Sequence, residues 1–213
     1  MRKLYIISIF ILYFLACNKK VSLPEIDISV SKDGVVELPD NVPDIFKKYF
    51  VKYTKVTAPN GKPIHILAQD GWTNDQIMHG RNVLEHILTD FPGSPYGNNK
   101  TNVANSMSEK KATMVFFNTE PDLVKAFQEG LGSATDLSMQ DLRANECTAV
   151  GSEDYMNHIT RDASYEEIWH LVHDYGIKPT LPGMIKEMRI ANDNAAKNGW
   201  KAWPEDEPQE HPN

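Results

Sequence analysis

Between Ser164 and Gly176 the chain places Glu166, Glu167, His170, His173 and Asp174 within one short segment that has helical periodicity. At about 100° per residue, Tyr165, Ile168, Trp169, Val172 and Tyr175 fall on one side of such a helix. Glu166, Glu167, His170, His173 and Asp174 fall on the other, and the segment contains no Lys or Arg. A face that only dissolves in water usually mixes both signs of charge. A face of carboxylates and imidazoles alone has the donor set of a cation site. Glu166 and His170 are spaced i,i+4, so their side chains leave adjacent turns and converge on one ion.

Each of these residues also has a purely structural reading. Ser164 followed three residues later by Glu167 is a capping-box pattern, which would satisfy backbone N–H groups and nothing else. Glu166 in a first turn favours the helix dipole, and Asp174 near a C-terminus opposes it, so a cation is expected close to Asp174, either Lys178 or Arg161. Gly176 is expected as the C-cap and Pro179 as the stop. His65, His79 and His86 read as core-edge or surface histidines. Cys147, with no basic neighbour in sequence, reads as an inert apolar residue rather than a nucleophile.

The elements that must position this helix can be read in outline. A helix is expected over Asn41–Tyr53 from Ile45, Phe46, Tyr49 and Phe50, and a strand over Pro63–Ala68. Thr73 and Gln76 open a helix that runs to Asp90 with Ile77, Val83, Leu84, Ile87 and Leu88 as its stripe. A short helix around Val103–Met107, a buried strand over Ala112–Phe117 and a helix over Pro121–Gly130 follow. Leu142–Val150 reads as a strand at a sheet edge, and Met184–Asn198 as a last helix. The expected fold is α+β, a small mixed sheet with packed helices in a single domain over residues 41–204. Residues 17–40 read as a flexible tether, and 205–213, rich in acids and proline, as a disordered acidic tail.

The formal charge is −7, from 22 basic and 29 acidic residues. Nucleic acid is an improbable partner for such a chain, because phosphate binding needs a basic footprint. The first 16 residues have the three parts of an export signal: Arg2 and Lys3, an apolar run over Leu4–Leu15, and Ala16. The run is too short to span a bilayer, which takes about 20 residues. Phe14-Leu15-Ala16-Cys17 resembles the lipobox of bacterial lipoproteins. That resemblance implies cleavage before Cys17, acylation (palmitate included) on that cysteine, and a membrane-anchored, extracytoplasmic place in the cell envelope. With Cys17 acylated, Cys147 has no disulfide partner, because these are the chain's 2 cysteines.

The segment Glu166-Glu167-Ile-Trp-His170 also resembles the H-E-x-x-H helix of gluzincin-type zinc metallopeptidases, with the first histidine replaced by glutamate. The resemblance covers about residues 112–198. It implies a metallopeptidase-like domain with Glu166, His170 and Glu187 as metal ligands and His173 as the substitute for Glu187. It further implies Glu167 as the base that activates a metal-bound water for hydrolysis of a peptide or protein substrate, and an edge strand that holds the extended peptide. The implied ion is Zn²⁺, in a ligand set with two carboxylates that is less selective against Mn²⁺ or Ca²⁺. The replaced histidine supports the alternative, a non-catalytic envelope lipoprotein that binds a peptide or glycan on a degenerate peptidase scaffold. Trp72, Trp200 and Trp203 are candidates for a binding platform.

Overall fold

The computed structural model describes residues 20–147 and 162–200. Cys17, Arg161, Trp203 and the 205–213 tail lie outside the described residues. The described chain is α+β and single-domain, built on a mixed sheet of five strands in the order β1-β2-β3-β4-β5. These are Val36–Glu37, Lys52–Thr57, Pro63–Ala68, Ala112–Phe117 and Ser138–Arg143. β1, β2 and β3 are antiparallel neighbours, whereas β3, β4 and β5 run parallel.

Helices cover both faces. α1 is Asp44–Lys47, α2 Asn74–Leu88, α3 Thr101–Glu109, α4 Glu120–Gln128 and α5 Leu131–Ala134. After a 3₁₀ turn at Ala144–Glu146, α6 spans Ser164–Val172, α7 Lys178–Thr180 and α8 Pro182–Lys197. Strand parity divides the core. Ile64, Ile66, Ala68, Met114, Phe116 and Leu142 pack with α2, α3 and α6 on one face. Leu67, Val115, Phe117 and Tyr53 pack with Phe46, Ala126 and Leu131 on the other. A strand buried on both faces has no solvent side to show, which explains the mostly apolar run of Ala112–Phe117, all of it buried, with the Thr113 hydroxyl satisfied by Lys111 O.

The two parallel connections step the same way across the sheet, yet α2 and α3 lie on one face and α4 and α5 on the other. The two crossovers therefore have opposite hands, and one of them departs from the right-handed rule.

Three sequence expectations change. The helix over Asn41–Tyr53 shrinks to α1 with a turn after it: Phe50 N–H still donates to Phe46 O at 2.9 Å, but from Lys52 the chain is extended as β2. Phe50 owes its apolar character to packing on Phe117 across the sheet, with ring centroids 5.3 Å apart, rather than to a helical stripe. The strand expected over Leu142–Val150 lies earlier, at Ser138–Arg143, because the chain turns into the 3₁₀ segment at Ala144; residues 148–150 lie outside the described residues. Finally, the stretch expected as a tether contributes to the core at several of its described residues. Ile26 and Val35 are buried, Val36–Glu37 pairs with β2, and Val21 N–H donates to Ala134 O at 2.8 Å.

Candidate functional site

α6 carries the acid-rich face, and it does not start as the sequence suggested. Its N-cap position is Ala163, which offers no side-chain cap. Asp162 takes over: its Oδ1 accepts the Ser164 N–H at 3.0 Å while Oδ2 meets His79 Nε2 at 2.9 Å. Ser164 is buried inside the first turn and caps nothing, so no Ser164–Glu167 capping box forms. The box at Thr73 and Gln76 does form. The difference is burial, since a capping serine must face the helix end and Ser164 faces the core.

Freed from capping, Glu167 turns to the sheet. Its Oε2 accepts from Gln140 Nε2 on β5 at 2.8 Å. Burial raises the proton affinity of this half-buried carboxyl, the Gln140 bond and His170 pull it back, and Asp141 and Glu146 push it up further. Asp141 is likewise raised, first by burial. Glu146 is held differently, by an Arg143 guanidinium whose Nε donates to it at 2.9 Å.

The helix does not end at Gly176. It widens into a π turn at His173–Ile177 and continues through α7. The carbonyls that this turn displaces are taken by hydroxyls: Ser106 Oγ donates to Tyr175 O at 2.8 Å and Thr180 Oγ1 to Gly176 O at 2.6 Å. Gly176 serves close packing rather than capping, since a Cβ there would lie 2.7 Å from Val103 Cγ1 on α3. Inserted π turns recur at functional sites in other proteins.

Glu166, Glu167 and His170 thus share one helix face, Glu166 exposed and the other two half-buried. Glu187 does not join them. It lies on α8, where its carboxylate accepts from the Tyr96 hydroxyl at 2.7 Å. His173 contacts Asp174 at 3.2 Å, and the cation expected near Asp174 is Lys178, at 3.0 Å. Among the described residues no three His, Cys, Asp or Glu side chains are grouped to hold a metal ion.

β5 supplies what the sequence did not reveal. It ends the sheet order and runs beside α6. Ser138 N–H donates to Lys111 O at 3.2 Å, which sets the parity of the strand. Ser138, Gln140 and Leu142 turn their backbone groups toward β4, whereas Met139, Asp141 and Arg143 turn theirs to the outer edge. Arg143 N–H is occupied there by Glu146 Oε2 at 3.2 Å. Gln140 and Asp141 lie just before the stretch expected as strand, and a Gln beside an Asp has no periodic signal of its own.

The apolar side of α6 buries Ile168, Leu171 and Val172. Trp169, on the far side of the helix from Glu167, lines a cavity of about 250 Å³ with Ile87, Phe91, Tyr96, Leu181 and Met184. Trp72 is buried against Phe116 and Trp200 is 79% exposed at the end of α8, so these two form no shared platform. Cys147 is buried, and burial pushes its thiol up to about 11, as befits an inert side chain. No family model, curated protein or solved structure matches this chain.

Proposed function

We propose that this chain is a bacterial envelope lipoprotein, acylated on Cys17 and extracytoplasmic, that binds an extended peptide along the outer edge of β5 without cleaving it. One observation carries the reading. Met139 and Asp141 turn their backbone groups to the side of β5 away from β4, where no strand among the described residues pairs with them, and Gln140, tied to Glu167, fixes α6 beside them. An added strand completes such an edge through main-chain bonds, and the flanking side chains select the sequence. The acids Asp141, Glu166 and Glu167 favour a peptide with basic residues.

Proline scanning tests this. Met139→Pro removes an outward N–H and spares the ladder to β4, so peptide binding is lost while the fold persists. Gln140→Pro breaks a ladder bond and unfolds the edge. Retained affinity of folded Met139→Pro for a peptide that binds the parent chain refutes edge binding.

The metal-dependent peptidase reading keeps one supporting observation, the raised proton affinity of Glu167, which is a property of general bases. It requires Glu187, which accepts from Tyr96, or else His173 to reach Glu166 and His170. Zn²⁺ or Mn²⁺ binding that Glu166→Ala and His170→Ala abolish, together with hydrolysis that Glu167→Gln abolishes, would favour it over binding alone.

A further inference from the structure

The starts of β3, β4 and β5 and the end of β2 lie at one end of the sheet, and so does the first described part of the chain. Val21 is clamped there: its N–H donates to Ala134 O at 2.8 Å and its carbonyl accepts from Asp136 N–H at 3.1 Å. Lys111 Nζ donates to Ser22 Oγ at 3.0 Å and pairs with Asp136. The β2–β3 turn is fastened to the same end, with Asn60 donating from its backbone to Asn105 Oδ1 at 2.9 Å and from its amide to Ser108 Oγ at 3.0 Å. Lys20, Lys62 and Lys110 are exposed at this end, Glu109 stands among them, and Asp136 is already paired with Lys111. At the opposite end, where β3 and β4 finish, Asp70 and Glu120 are exposed, Arg143 is engaged by Glu120 and Glu146, and Lys52 donates to Trp72 O. Three exposed lysines thus lie at the end where the anchor would enter, although Glu85 and Asp90 line a cleft with Thr57, Ala58 and Pro59 of the same turn.

Only four residue steps separate Cys17 from Val21, which limits the reach between lipid and domain to at most about 14 Å. Part of that length is used in crossing the headgroups. The end that carries these lysines is then kept close to the membrane surface, where anionic lipid attracts them. We infer that the acylated chain stands on the bilayer by this end, with Lys20, Lys62 and Lys110 against anionic lipid headgroups. β5 then runs up from the surface. The inference rests on the acylation proposed above, and what it adds is an orientation that an acyl chain on a long tether would not impose.

The test uses the full lipoprotein in vesicles of phosphatidylethanolamine and phosphatidylglycerol that contain a nitroxide-headgroup lipid. A fluorophore is placed at Glu109→Cys or at Asp70→Cys, with the Cys17 acyl group verified by mass spectrometry. The Glu109 probe is expected to lose most of its emission and the Asp70 probe to keep it, because β3 alone separates the two ends by roughly 20 Å. In Lys20→Glu/Lys62→Glu/Lys110→Glu, still acylated and folded by circular dichroism, the difference is expected to disappear. Equal quenching of the two probes, stronger quenching at Asp70, or an unchanged difference in the triple variant overturns the inference while leaving acylation intact. Absence of the acyl group overturns the anchoring itself.

Discussion

Gln140 on the edge strand donates its side-chain amide to Glu167 on α6 at 2.8 Å, which ties the outer strand of the sheet to the one acid-rich helix face. The bond holds a half-buried carboxylate that burial first, and then Asp141 and Glu146, push toward its protonated form. Gln140→Ala removes the contribution that lowers the Glu167 proton affinity, so its titration should move to higher pH. Carbon-detected NMR of the labelled glutamate carboxyl measures this, and an unchanged midpoint would show that the bond does not persist in solution.

Glu167 also carries a signed pH effect. Its folded-state pKa is raised, so its contribution to stability is present below the unfolded value of 4.5 and is lost as the pH rises through the folded value. Glu167→Gln should therefore be more stable than the parent at pH 7, by a few tenths of a kcal/mol after allowance for solvent screening. The gap should close on acidification, as read from urea midpoints of both proteins at each pH.

His65 works in the opposite direction. Burial first, with Lys55 and Lys111 adding to it and Asp136 opposing, lowers its pKa from 6.5 to about 4. Its ring meets the Tyr53 hydroxyl at 2.9 Å in the core. The folded chain thus keeps a neutral imidazole where the unfolded chain binds a proton. The resulting stability, on the order of 3 kcal/mol, is whole above pH 6.5 and is lost as the pH falls toward 4. His65→Gln should flatten that limb of the stability curve in a urea series between these values.

Gly176→Ala should destabilise the domain by about 1–3 kcal/mol, because the new methyl meets Val103 Cγ1 at 2.7 Å and Met107 Cγ at 3.0 Å. Val103→Ala in the same chain should recover part of that loss, so the double-mutant cycle must be non-additive. Additive costs would place the strain in the backbone instead.

Ile26→Ala should cost about 2–4 kcal/mol, since Ile26 is 3% exposed and packs with the cluster around Phe46 and Phe117. A loss near zero in thermal or urea unfolding would make residues 20–40 an appendage rather than part of the folded unit.

Sequence alone determined the elements whose signals are local. Thr73 and Gln76 mark the start of α2 because a capping box is formed by residues three apart, and Ala112–Phe117 declares a buried strand by being apolar at every position but Thr113. The acid-rich face of α6 was legible for the same reason, through 3.6-residue periodicity. Tertiary structure decided everything that depends on a distant partner. Ser164 looked like a cap until packing buried it, and Gly176 looked like a stop until α3 required its missing side chain. Ile26 and Val35 lay in a polar stretch whose burial no short window could show. Glu187 sat at a plausible spacing from His170, but Tyr96, 91 residues away in sequence, holds its carboxylate. Glu167 found Gln140 across 27 residues, a pairing that exists only because the strand and the helix pack against each other.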